Sequence, residues 1–325
     1  MFSDDEGAAG VDNTAALAID LGGTRIKAGI VVGHQVALQR IVPTEDEQGF
    51  EHVLDQMIAV SEQLLRERPA VGIGLSLPAV VDVARGTVVD VRKNLSGLIG
   101  FPLVDTLQQR FHLPVAVEND ARLYGLGEML AGAARGVENL VCLTLGTGVG
   151  CCVVQDGHIL RGSHGTGGIL GGHMTIETYG PLCTCGNIGC VEAFCGAPAL
   201  VRAIEERLAT DPDHPLRRES VLTPELIMAA AARGDDLAGA VLAEYVRRLA
   251  AAVVSYIHVH DPDAVILGGG IMHGADLILP PVREYVRAHA WTSPPRPIPV
   301  WAASLGDSAA LVGAAGLVRG LARFR

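Results

Sequence analysis

Apolar residues along this chain gather in short runs that close on glycine or on an acid. Residues 15–20 form one such run, ending in the turn Leu21-Gly22-Gly23-Thr24, and residues 26–32 resume a strand-like pattern. The pair predicts a hairpin with a glycine tip. A third strand-like piece follows at 36–42, and 50–68 then places Val53, Met57, Val60 and Leu64 at helical spacing. Three strands and a helix are expected in that order. The device returns at 140–160, where Leu140-Val141-Cys142-Leu143 runs into Gly146-Thr147-Gly148-Val149-Gly150 and a strand at 151–154. Two strand, glycine-turn, strand units predict two related halves facing a common cleft. Between them, 115–120 reads as a strand ending in Glu118-Asn119-Asp120, with a helix over 121–134 just beyond. Polar groups at such a strand end lie where α/β proteins place their chemistry. A last strong strand, 264–267, enters Gly268-Gly269-Gly270, and 308–321 is an alanine-rich helix of small residues.

Composition adds size and solvent to this picture. The 325 residues suffice for two lobes, each with its own core. With 49% hydrophobic residues, 19% charged and only 4% aromatic, the cores must be filled by aliphatic side chains. The net charge of −11, with no basic patch, argues against a nucleic-acid partner. Residues 1–14 carry Asp4, Asp5 and Glu6 without a cationic start or apolar stretch, and read as a disordered acidic tail rather than a secretion signal. The longest apolar helical stretch, 237–258, is interrupted by Glu244, Arg247 and Arg248, so no membrane span is expected. Seven cysteines, three of them within residues 183–190, suit a metal site in a reducing cytoplasm better than a disulfide framework. The expected division is a small N-terminal lobe over 15–122, completed by a C-terminal helix at 308–325, and a large lobe over 123–307 that carries the cysteine cluster.

Asp20-Leu-Gly-Gly-Thr24 sets a carboxylate before two glycines and a hydroxyl. Backbone N–H groups there can approach a phosphate while the acid holds Mg²⁺ through water. A plain hairpin selected for positive φ would use the same glycines. The second bend, Gly146-Thr147-Gly148-Val149-Gly150, tips the reading toward a triphosphate gripped by two glycine hairpins. Neither bend has the P-loop form, and no dinucleotide fingerprint joins a first strand to a helix. The nucleotide-binding set is therefore Asp20, Gly22, Gly23, Thr24 and Lys27, then Gly146, Thr147, Gly148 and Gly150, then Gly268, Gly269 and Gly270. Together these elements resemble the actin-like ATPase and sugar kinase fold (ribonuclease H-like), an α/β architecture of two lobes with mixed sheets around a nucleotide cleft. Cys183, Cys185 and Cys190 in a glycine-bent loop, with His173 ten residues before the first, make a closed set of three thiolates and one imidazole for structural zinc.

From His173 through Cys183-x-Cys185-Gly-x-x-Gly-Cys190-x-Glu192, the chain resembles the signature of the ROK family (repressors, open reading frames, kinases). Asp20 to Thr24, Glu118-Asn119-Asp120-Ala121, Gly146 to Gly150, and Leu305-Gly306-Asp307 to Gly313-Ala314-Ala315 match it in order, over roughly residues 16 to 320. The resemblance implies an ATP-dependent kinase acting on a sugar hydroxyl, and a homodimer. Asn119 and Asp120 would contact the sugar, with Asp120 as the catalytic base. Capping the helix that starts at Ala121 is the plainer role for Asp120, and the two can coexist. His173 would ligate zinc through one nitrogen and offer the other to a substrate hydroxyl, while Glu192 accepts a hydrogen bond from a neighbouring one. Pro78, Ala79 and Asn94 complete the implied substrate set.

The departures from that pattern bear on substrate. Members of the family usually carry Glu-x-Gly-His, whereas this chain has Leu170-Gly171-Gly172-His173, so an alkyl group replaces an acceptor. Pro78-Ala79 stands where Pro-Gly is usual, ahead of Val81-Asp82, and Leu98 stands in place of a tryptophan. A site built to bond a hydroxyl discriminates strongly against analogues that lack it, so recognition of ordinary glucose should weaken. The expected substrate is a glucose-like hexose or a cyclitol that mimics one. An N-acetylhexosamine kinase and a non-catalytic sugar-binding or sugar-sensing protein are the alternatives. A sugar-responsive repressor is disfavoured, because only 19 residues precede Asp20 and a helix-turn-helix does not fit there.

Overall fold

The structure is a computed structural model describing residues 14–91, 93–292 and 295–324. Residues 1–13, including most of the expected acidic tail, lie outside the described residues. The chain divides into two compact units, one of residues 1–123 with 310–321 and one of residues 124–309 with 322–325.

In the first unit, β1 (Ala15–Leu21), β2 (Arg25–Val32) and β3 (Gln35–Pro43) precede α1 (Phe50–Glu67). Then come β4 (Ile73–Leu77), the hairpin β5 (Ala79–Asp82) and β6 (Thr87–Val91), α2 (Leu103–Phe111) and β7 (Val115–Asn119). The three predicted strands and the helix after them all form. A five-stranded sheet runs in the order β3-β2-β1-β4-β7, antiparallel through β2 and parallel from β1 to β7. Central β1 and β4 are almost wholly apolar because both faces are covered, while β3 at the edge alternates toward solvent. Val53, Met57, Val60 and Leu64 of α1 pack with Leu17, Ile19, Ile30 and Leu75 into one core. The chain returns at its end through α9 (Ala309–Val318), whose residues beyond Ala309 group with this unit. A Cβ on Gly74 of β4 would stand 2.0 Å from the Ala314 carbonyl oxygen, so sheet and helix meet backbone to backbone there.

Helix α3 (Asp120–Ala131) follows β7 without a linking residue, and the division between the units falls within it. The second unit has β8 (Leu140–Leu145), β9 (Val149–Gln155) and β10 (His158–Ile159), then α4 (Val191–Cys195), α5 (Ala197–Leu208), α6 (Pro224–Ala232) and α7 (Asp236–His260). After these come β11 (Ala264–Gly268), α8 (Ala275–His289) and β12 (Val300–Ala302). Its sheet order, β10-β9-β8-β11-β12, repeats the first: an antiparallel hairpin and then parallel strands. Both glycine-tipped hairpins thus open a sheet of the same topology. Leu143, Val153, Leu249, Val253, Leu267 and Ile278 belong to its separate aliphatic core. Among the described residues no helix is long and apolar enough to cross a membrane.

Candidate functional site

In the first unit the carboxyl ends of three adjacent parallel strands gather the predicted polar residues. Asp20 on β1 is in register with Ser76 on β4, which is in register with Glu118 on β7. Ser76 Oγ donates to Asp20 Oδ1 at 2.6 Å, and Lys27 Nζ lies 4.0 Å from Asp20 Oδ2. The Gly22-Gly23-Thr24 turn is clamped by Thr44, whose Oγ1 donates to the Gly22 carbonyl at 2.8 Å and whose N–H donates to the Thr24 carbonyl at 3.0 Å. Thr44 is wholly buried while Thr24 is exposed, so the turn is fixed from beneath and open above.

Asn119 ends β7 and Asp120 begins α3. The capping expected of Asp120 falls chiefly to Asn119, whose Oδ1 accepts from the N–H groups of Ala121 at 3.0 Å and Arg122 at 3.3 Å. Its Nδ2 donates to the Ala79 carbonyl at 3.2 Å and to Asp120 Oδ1 at 3.0 Å. The Ala121 N–H also donates to Asp120 Oδ1, at 2.8 Å. Asn119 is nearly buried, and Asp120 keeps part of its surface in solvent. Pro78 and Ala79 follow β4 beside this corner, while Asn94 is exposed on a short 3₁₀ turn over Lys93–Leu98.

In the second unit the Gly146–Gly150 bend joins β8 to β9, with Thr147 exposed at its tip. The Ala197 N–H donates to the Gly146 carbonyl at 2.7 Å, tying the start of α5 to the bend. Gly268 closes β11, and the Gly269 N–H donates to the Tyr124 hydroxyl at 3.4 Å. Burial of that phenol raises its pKa, so it stays protonated.

His173 ends a 3₁₀ helix over Ile169–His173 that lies close on β9, where a Cβ on Gly172 would stand 1.9 Å from the Val149 carbonyl oxygen. His173, Cys183, Cys185 and Cys190 place one ligand atom each within 4.8 Å of one another. Cys185 Sγ and Cys190 Sγ are 3.8 Å apart, and Cys183 Sγ is 3.6 Å from His173 Nδ1. A tetrahedral zinc ion with ordinary Zn–S and Zn–N bonds gives edges of about 3.8 and about 3.6 Å, so the donor set fits that ion. The sulfur separation is far too long for a disulfide. Burial raises the Cys183 and Cys190 thiols, the latter to about 12, while the Asn187 N–H chiefly holds exposed Cys185 below its ordinary value. A dication among them favours the thiolate form of all three.

Glu192 joins this loop to the glycine bend. Its Oε2 accepts from the Val149 N–H at 3.1 Å, and its Oε1 accepts from Thr184 Oγ1 at 2.8 Å and Cys183 Sγ at 3.6 Å. Leu170, on the same 3₁₀ helix as His173, is 48% exposed.

Sequence reasoning passed over Thr44, Ser76, Tyr124 and Arg122. Ser76 carried a signal, a lone hydroxyl in the apolar strand Ile73-Gly-Leu-Ser-Leu77. Thr44, in a connection after β3, carried none.

The ROK family profile matches residues 16–320. The chain is 34% identical over 319 residues to a glucokinase of Thermotoga maritima, covering 93% of this chain and 96% of that protein. It is 31% identical over 257 residues to an N-acetylmannosamine kinase of Escherichia coli, covering 78% of this chain and 82% of the relative. A ROK family glucokinase from Streptomyces griseus, solved in complex with glucose and AMPPNP, superposes with a TM-score of 0.83 at 32% identity, over 94% of this chain and 99% of its own. On a match that spans nearly its whole length, this chain belongs to the ROK family and has the actin-like ATPase fold of its glucokinases.

Proposed function

We propose that this ROK family carbohydrate kinase transfers the terminal phosphoryl group of ATP to a hydroxyl of a glucose-like hexose, or to a ring hydroxyl of a cyclitol that mimics one, with Asp120 as general base. The observation that carries the reading is the corner between β7 and α3. There a half-buried carboxylate stands just past a strand end, bonded by Asn119 and by the Ala121 N–H in the first turn of the helix, beside the sheet whose central strand presents Asp20. Asp120 takes the proton of the attacking hydroxyl as its oxygen bonds phosphorus and ADP departs. Asp20 would hold Mg²⁺ through water, and Gly22, Gly23, Thr24 and Lys27 would serve the phosphates. The Gly146–Gly150 bend and Gly268, Gly269 and Gly270 serve the nucleotide from the second unit. Asn119, Pro78, Ala79, Asn94, Leu170, His173 and Glu192 form the sugar-binding set.

Zinc on His173, Cys183, Cys185 and Cys190 is structural, since four protein donors leave no coordination position for water. When bound, it fixes the loop and supplies the charge that keeps the thiolates ionised. With Nδ1 on the metal side, His173 keeps Nε2 for a substrate hydroxyl. A kinase for an N-acetylhexosamine is the second reading, supported by the E. coli relative and by exposed Leu170, an alkyl group suited to the methyl of an acetamide.

A coupled ADP-release assay across hexoses, hexosamines, N-acetylhexosamines and cyclitols tests these readings. Turnover is expected on at least one member, and a silent panel from folded, zinc-loaded protein would favour a sugar sensor. With the best substrate, Asp120→Asn is expected to retain sugar binding and lose about 10²- to 10⁴-fold in kcat. Rates like those of the wild type would refute the base.

A further inference from the structure

Beneath the corner that presents Asp120 lies a buried ion pair. Arg122 is the largest side chain wholly buried among the described residues, at 1% exposure, and Glu118 is at 0%. Arg122 Nη1 donates to Glu118 Oε1 at 3.0 Å. The same oxygen accepts the backbone N–H of Asn119 at 2.8 Å. Two opposite charges in a core are a poor source of stability, because desolvation offsets most of their attraction and packed apolar residues of equal volume often do as well. What the pair does supply is direction. One of its bonds reaches the Asn119 backbone, and Asn119 in turn bonds the Ala121 and Arg122 amides, the Ala79 carbonyl and Asp120 Oδ1.

Strand β7 ends at Asn119 and α3 begins at Asp120, so the chain changes course across one peptide link. Any rotation at Asn119 there is passed directly to the Asp120 carboxylate. We propose that Glu118 and Arg122 form a positioning pair that locks Asn119 and, through it, sets the Asp120 carboxylate for phosphoryl transfer. Neither residue touches the reacting atoms. The inference rests on the reading of Asp120 as the base.

The test removes both charges of the pair together, so that neither is left buried without the other. The double variant Glu118→Met with Arg122→Met is compared with Arg122→Lys, Asp120→Asn and wild type, using ATP and the panel member with the highest kcat/KM. The double variant is expected to melt near the wild-type temperature and to lose about tenfold to hundredfold in kcat, the range a displacement of about 1 Å produces, while KM for ATP stays within about twofold. Arg122→Lys, which keeps the charge and loses the planar fork, should recover part of the loss. A kcat equal to wild type in the double variant, with Asp120→Asn inactive, overturns the positioning role and leaves the base intact. Should the double variant not fold, Arg122→Lys decides alone: unchanged kcat overturns the proposal, and reduced kcat with unchanged KM for ATP supports it. An active Asp120→Asn would instead remove the base reading itself.

Discussion

Thr44 shows how a single hydroxyl can fix a loop. Its Oγ1 and N–H hold the carbonyls of Gly22 and Thr24, so the backbone amides of that turn are aimed before any ligand arrives. Thr44→Val keeps the shape and removes the hydroxyl, leaving a carbonyl short of a partner in a buried setting. The expected loss is about 1–3 kcal/mol of stability. If the turn holds nucleotide as proposed, KM for ATP should rise with little change in kcat; denaturant titration and steady-state kinetics would check both, and no change in either would remove the clamp. Asp20, Asn119 and Asp120 could be read from the sequence because each is polar where an apolar strand stops, a local contrast that needs no coordinates. Ser76 shows the same contrast more faintly, whereas Thr44 could not be read, because its significance lies in the carbonyls of Gly22 and Thr24, about twenty residues back along the chain. Arg122 stands four residues from Glu118, a spacing that signals a pair only within one helix, whereas here it spans a strand end and a helix start.

At the scale of elements, apolar runs and glycine placement revealed β1 to β3 and both glycine-tipped hairpins, and a long apolar stretch broken by charges revealed α7, which begins on an Asp235 cap accepting from the Ala238 N–H. The 3₁₀ helix that carries Leu170 and His173 was not legible. Ile169-Leu-Gly-Gly-His173 has no apolar period, and its form comes from Gly172 pressed against β9. The cysteine loop was legible as a donor set, since ligand spacing is a local property, but its tie to the glycine bend was not. Cys185 is the exposed one of the four candidate donors, so Cys185→Ser removes a donor with little loss of packing. Metal content measured by mass spectrometry should fall from equimolar toward nothing. Full zinc retention would rule out this set.

The whole chain repeats one sheet topology and then sends its final helix back to complete the first unit. The repeat was visible as two glycine bends between strands; the return of α9 was harder to justify from sequence, because a helix of small residues carries almost no amphipathic signal. Its smallness has a partner in Gly74, where β4 and Ala314 leave no room for a methyl. Gly74→Ala should force helix and sheet apart and destabilise by about 1–3 kcal/mol. A clear drop in melting temperature is expected, and an unchanged melt would contradict the packing. Glu192 has a different reach, because one carboxylate grips the amide of the glycine bend with one oxygen and the thiol loop with the other. With zinc on that loop as proposed, a single substitution at position 192 would disturb metal retention and the setting of the bend together, so neither could be retuned there alone.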